Sequence, residues 1–212
     1  VDFDGDEITD FFFVSDIGGR VWRFDLNANK EVINKSNFIS GAGKIFDANT
    51  TGTNYQRFYY APSVSYFSNK NSNEEFLTIS IGSGFRAHPL QTIHQDSFYI
   101  IKDRNITKPP TSYTTLDPSQ FVDIANPQVN SSTSPDGWKY KLSSGEKVLS
   151  ASLTANSHMY FTTFAPKSTL SNVMGCNVDV GQATAYVIAF EPSSLSLGEG
   201  EGEGEGEGEG DS

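Results

Sequence analysis

Asp2, Asp4, Asp6 and Asp10 open the chain at alternating positions of one short run. Ca²⁺ is a hard cation that takes about six to eight oxygens, and a short loop wraps it with ligands at loop positions 1, 3, 5, 7 (through a carbonyl) and 9. Asp2, Asp4, Asp6, the backbone carbonyl of Ile8 and Asp10 fill those slots. A helical EF-hand also requires Gly at position 6 and a bidentate Glu at position 12. Here those positions are Glu7 and Phe13. The segment that follows, Phe11 to Val14, is aromatic and β-branched, so it reads as a strand instead of an exiting helix. The run is therefore EF-hand-like in its ligands only. The competing reading is a solvated acidic turn, in which carboxylates held this close repel one another unless a cation neutralises them.

The elements that must position this loop are strands. Strand-like runs cover residues 11–15, 20–26, 57–67, 76–81, 97–102, 138–142, 148–154, 158–164 and 184–190. The sixteen Phe and nine Tyr suit pleated surfaces. Turns rich in Gly, Asn, Ser and Pro separate the runs, as at Gly18 and Gly19 and at residues 134–137. No stretch combines helical periodicity with caps. Short strands punctuated by turns predict an all-β sandwich, barrel or propeller. The run 16–26 favours a propeller, since a Gly pair turns the chain into an aromatic strand ending in Asp25, with a weaker echo at 185–191. At roughly 40 to 50 residues per blade, residues 1–191 supply about four blades, each a four-stranded antiparallel sheet, as part of a larger ring. Residues 104–136, rich in Pro, Ser, Thr and Asn, read as an irregular insertion over one face.

Composition narrows the function classes. Of a net charge of −11, seven negative charges fall within residues 198–212, where Gly and Glu alternate without a base. Residues 192–212 form an acidic tail that cannot build a core. The remainder is only mildly acidic and shows no basic patch, which argues against a nucleic-acid partner. No apolar run approaches the roughly 20 residues of a membrane-spanning helix, and no signal peptide is present. A chain that opens on Val1 and a calcium ligand reads as a piece of a longer protein. The single Cys176 excludes an internal disulfide and lacks a local base, so it reads as a quiet thiol. A roughly millimolar calcium site would suit the outside of a cell.

Other motifs carry less chemistry. Residues 82–87 match the spacing of a dinucleotide fingerprint, but Pro89 forces His88 out of the α region, so no helix N-terminus faces a pyrophosphate. His88, His94 and His158 share no metal-ligand spacing. Ser83 lacks a nucleophile elbow and reads as a turn serine. Arg57 and Arg86 flank aromatic strands and suit pairing with acids or stacking on rings.

Several segments taken together resemble the C-terminal β-propeller of the PilC/PilY family of type IV pilus biogenesis and tip adhesin proteins. They are the loop 2–10, the runs 15–26, 57–64 and 81–90, then 96–103, 145–153 and 160–166, in matching order over about residues 1–191. The resemblance implies a non-enzymatic, extracellular protein at the pilus tip on the bacterial outer surface. It implies minor pilins as partners, with a host or surface receptor, and roles in assembly against retraction, adhesion and twitching motility. It also implies that Asp2, Asp4, Asp6, the Ile8 carbonyl and Asp10 bind a regulatory Ca²⁺. An alternative is a propeller enzyme akin to quinoprotein dehydrogenases, which hold a quinone beside Ca²⁺. That site needs ligands converging from several blades, whereas this signal is local.

Overall fold

The computed structural model describes residues 1–27, 38–50, 54–69, 73–124, 128–130, 136–166 and 181–191. Cys176 and the Gly-Glu tail lie outside them. Among the described residues the chain is all-β, and its only helical element is a 3₁₀ turn at Pro118–Gln120. Among the described residues no helix is long and apolar enough to cross a membrane.

The first sheet is a meander of β1 (Phe11–Ser15), β2 (Arg20–Leu26) and β3 (Ile39–Asp47). Asp16 builds the β1–β2 turn: its Oδ1 accepts the Gly18 amide at 2.8 Å and its Oδ2 accepts Trp22 Nε1 at 3.1 Å. This side chain fixes a register in which Phe11 faces Asp25 and Ser15 faces Val21. The second sheet contains β4 (Ser63–Asn69), β5 (Glu74–Gly82), β6 (Ser97–Asp103), β9 (Gly137–Lys141) and β7 (Val122–Asp123), in that order. The third joins β10 (Lys147–Val148), β12 (His158–Ala165), β13 (Gln182–Glu191) and β8 (Gln128–Asn130), with β11 (Leu153–Ala155) also pairing with β12.

The second sheet is covered on both faces. Its strand β6 is buried throughout, and its central residues 98–101 form an apolar run without polar alternation because both faces of the strand are covered. Leu77, Ile79, Ile81, Tyr99 and Ile101 point toward the first sheet and pack with Phe11, Val21, Phe46 and Phe58. Phe76, Phe98, Ile100 and Trp138 point the other way and pack with Met159, Phe161 and Ile188 of the third sheet. Phe98 and Phe161 stack with centroids 3.9 Å apart and planes within 5°. Burial of each such side chain contributes about 1.5–3 kcal/mol, so these two seams hold the three sheets together.

The strand content and placement follow the sequence closely, with five differences. Of the run expected at 57–67 only residues 63–67 are strand, within β4. The sheets have three, five and five strands instead of a uniform four, and two pairings, β7–β9 and β8–β13, are parallel. Residues 39–47 form a strand that composition did not signal. Residues 148–154 split between β10 and β11. Residues 104–136 are more than an irregular cover, since they supply β7, β8 and the 3₁₀ turn. Short strands of this kind form because a distant partner strand satisfies their backbone groups, not because of local propensity.

Candidate metal centre

The acidic loop is tied at its base. The Val1 nitrogen donates to the Phe11 carbonyl at 2.8 Å, and the Asp10 amide returns to the Val1 carbonyl at 2.9 Å. The Leu26 amide donates to the Asp10 carbonyl at 2.7 Å, so the loop ends against the end of β2. Within the loop, backbone amides aim the carboxylates. Asp2 accepts the Gly5 amide at 2.8 Å and the Glu7 amide at 3.0 Å. Asp4 accepts the Asp6 amide at 3.1 Å, and Asp10 accepts the Phe3 amide at 2.8 Å. Each carboxylate oxygen has two lone pairs, so accepting one amide leaves it able to ligate a cation.

The result is a gathering of like charge. Carboxylate oxygens of Asp2, Asp4 and Asp10 lie within 4.8 Å of one another. Among the described residues these three form the only such group of potential metal ligands. At about 4 Å, two such charges repel by roughly 1 kcal/mol in water and 4 kcal/mol near a protein surface. Among the described residues no ion pair brings a base to any of the three. Asp6 stands outside this group; its Oδ1 accepts the Ile8 amide at 2.9 Å. Ile8 is half-buried.

Backbone conformation follows the same pattern. Glu7 has φ of 70°, a left-handed conformation uncommon for a residue with a Cβ. Glu7 occupies the loop position where a helical calcium loop carries Gly for its sharp turn. The turn is thus made here without the glycine that usually makes it.

Beneath the loop lies an ionic cluster that the linear motifs did not reveal. On β2 the inward positions are Val21, Arg23 and Asp25, and Arg23 and Asp25 are each only 1% exposed. Arg23 Nη2 meets Asp25 Oδ1 at 2.6 Å, and its Nη1 meets Asp103 Oδ2 at 2.6 Å. Nη1 also donates to the Asn105 carbonyl at 2.5 Å. The guanidinium lies over the Phe11 ring, 4.4 Å from its centroid. Burial alone would lower the proton affinity of Arg23, but the Asp25 and Asp103 carboxylates outweigh it and raise it. Tyr113 Oη donates to Asp25 Oδ2 at 2.6 Å; burial and this bond push the phenol up to about 12. The signal was present in the sequence as two charged residues on the inward phase of an alternating strand, but their partner Asp103 is 80 residues away.

A cavity of about 370 Å³ separates loop from cluster. Asp4 and Asp10 line one side, Arg23 and Asp25 another, and residues 106–109 close it. The remaining sites foreseen from sequence have structural roles. Arg57 lies over Phe85 at 4.0 Å and Arg86 over Tyr60 at 5.6 Å. No helix follows the Gly82 to Ala87 run, as expected from Pro89. None of the three histidines belongs to a ligand group among the described residues.

The fold and site define an all-β chain of packed sheets with an acidic loop leading into its first hairpin. Its fold is similar to the crystal structure of the Pseudomonas aeruginosa PilY1 C-terminal domain, with a TM-score of 0.53 and 14% sequence identity. That likeness covers 88% of this chain and 54% of the PilY1 chain, so this chain spans about half its length. At this identity the likeness is one of fold. No protein-family model matches the chain, and no curated protein matches its sequence.

Proposed function

We propose that the chain is a calcium-binding, non-enzymatic module of type IV pilus biogenesis, forming part of a β-propeller at the extracellular pilus tip. The observation that carries this reading is the convergence of Asp2, Asp4 and Asp10 on a loop whose Glu7 takes the left-handed turn conformation. Asp6 and the Ile8 carbonyl supply further oxygens in this reading, bringing the donor set toward the number Ca²⁺ takes. The PilY1-like fold supports the pilus context. Minor pilins are the proposed assembly partners, and a surface or host receptor is the proposed adhesion target. In this role the module supports assembly against retraction, adhesion and twitching.

Ca²⁺ acts here through order. A cation that binds only the folded loop stabilises it by RT ln(1 + [Ca²⁺]/Kd), about 2.7 kcal/mol at a hundredfold excess over Kd. The loop is hydrogen-bonded to β1 and to the end of β2, so its occupancy stiffens the surface around the first hairpin. The test is calcium titration by calorimetry on the chain and on Asp10→Ala, with circular dichroism confirming that both are folded. Saturable binding weakened at least tenfold in Asp10→Ala is expected; equal affinity in the two would refute the ligand assignment. In cells, the same substitution in the parent protein should remove the calcium response of surface pilus number, and an unchanged response would refute the pilus role.

A further inference from the structure

The Gly82-Ser83-Gly84 run takes no part in the acidic loop, yet Ser83 is fully buried where the three sheets meet. Ser83 Oγ lies 2.5 Å from Gln56 Oε1, 2.9 Å from Asp96 Oδ1 and 3.1 Å from the Ser97 carbonyl, and it accepts the Ser97 amide at 2.9 Å. A serine hydroxyl has one proton to give. Three acceptors surround it. Gln56 cannot be turned to supply the missing donor, because its Nε2 already faces the carbonyls of Asn54 at 3.3 Å and Gln95 at 3.0 Å. Exchanging its oxygen and nitrogen would set oxygen against two carbonyl oxygens. Of the surrounding acceptors only Asp96 can carry a proton of its own.

We propose that Asp96 is a neutral carboxylic acid in the folded protein, and that its proton closes a buried junction joining all three sheets. Asp96 Oδ1 donates to Ser83 Oγ, and Ser83 donates in turn to Gln56 Oε1. The two contacts to side-chain acceptors, at 2.5 Å and 2.9 Å, then each have a proton. Asp96 is 2% exposed, and among the described residues its Oδ2 has no hydrogen-bond partner. An unpartnered carbonyl oxygen of a neutral acid costs far less than half of an unpartnered carboxylate. Burial raises the proton affinity of Asp96, and this outweighs the opposing hydrogen bond from Ser83 and the positive fields of Lys147, His94 and Arg57.

The junction reaches each sheet. Gln56 is held to the first through Asn49, whose Oδ1 accepts the Gln56 amide at 2.7 Å and whose Nδ2 donates to the Gln56 carbonyl at 2.9 Å. Asp96 and Ser83 flank β6 and β5 of the second. The Val148 amide of the third donates to the Ser83 carbonyl at 2.9 Å. The flanking glycines permit this approach, since a Cβ on Gly82 would lie 2.4 Å from the Val148 side chain and one on Gly84 would lie 2.5 Å from the Val148 carbonyl.

A proton held more tightly in the folded than in the unfolded chain contributes stability at acid pH that is lost as pH rises through the folded value. The test is the carboxyl ¹³C titration of Asp96 in the full chain, assigned through its own backbone, together with thermal midpoints of wild type and Asp96→Asn across the same pH range. Asparagine keeps a donor toward Ser83 at every pH. The Asp96 carboxyl is expected to keep the shift of the protonated acid at neutral pH, titrating well above an ordinary carboxylate, and wild type should lose stability relative to Asp96→Asn as pH rises through that titration. An Asp96 carboxyl that is ionised at neutral pH in the folded chain would overturn the proposal. So would a wild-type to Asp96→Asn difference that stays constant with pH; the titration decides by itself should the variant not fold.

Discussion

Two acidic clusters stand on opposite sides of one cavity and solve the same problem differently. Asp25 and Asp103 are buried and share Arg23, with ion-pair distances of 2.6 Å. Asp2, Asp4 and Asp10 are gathered by backbone amides, in a loop where Asp2 and Asp4 face solvent, and no ion pair among the described residues brings a base to them. A buried carboxylate must bring its counter-charge with it, because an unpaired ion in the interior costs several kcal/mol. An exposed cluster can leave that place to a cation from solution. The difference separates a permanent structural element from an exchangeable one.

The comparison can be broken most forcefully at Arg23. Arg23→Met keeps part of the apolar stem over Phe11 but leaves Asp25 and Asp103 without their shared base. The expected loss is about 3–5 kcal/mol by chemical denaturation, independent of calcium. A loss below about 1 kcal/mol would show that the two carboxylates do not depend on Arg23. The loop should behave in the opposite way. Saturating Ca²⁺ should raise stability by about 2.7 kcal/mol at a hundredfold excess over Kd, and chelator should remove the gain. Asp10→Ala should abolish it, and an equal calcium gain in that variant would place the cation elsewhere.

Legibility in the sequence follows the range of the interactions. Strands β1 and β2 fall at residues 11–15 and 20–26 as read, because Phe, Val and Trp in a short hairpin with an Asp-led turn specify them locally. Strand β3 was hidden by Gly41 and Gly43, which weaken strand propensity. They are present because Tyr113, some 70 residues on, lies against them: a Cβ on Gly43 would meet the Tyr113 ring carbons at 2.2 Å. The count of about four blades from length compares with three sheets of unequal size among the described residues, for a related reason. Residues 122–123 and 128–130 join sheets through parallel pairing with Trp138 and Lys139 and with residues 189–191, distant contacts that no local pattern encodes. At the loop, the acids and their spacing were legible, while the separation of Asp6 from the other three depends on the turn that directs its carboxylate to the Ile8 amide. The Asp96 junction was invisible, since it brings Gln56, Ser83 and Asp96 together only after three sheets have packed.

The smallest expected effect probes the loop's backbone apart from its charge. Glu7 holds φ of 70° while its amide donates to Asp2 Oδ2 at 3.0 Å. A left-handed residue with a Cβ costs roughly 1–2 kcal/mol, and glycine removes that cost while adding about 0.4–1 kcal/mol of unfolded-chain entropy. Glu7→Gly should therefore stabilise the chain by about 0.5–1 kcal/mol in chelator, with the Asp2 contact intact. Removing the Glu7 charge also eases the surrounding repulsion, so Glu7→Ala is the necessary partner: it removes the same charge and keeps the Cβ. If Gly exceeds Ala by about 0.5 kcal/mol or more, the turn is strained as its φ indicates, and the loop spends folding energy to keep its carboxylates converged. If the two variants are equal, backbone strain contributes nothing and the loop differs from the Arg23 cluster in charge alone.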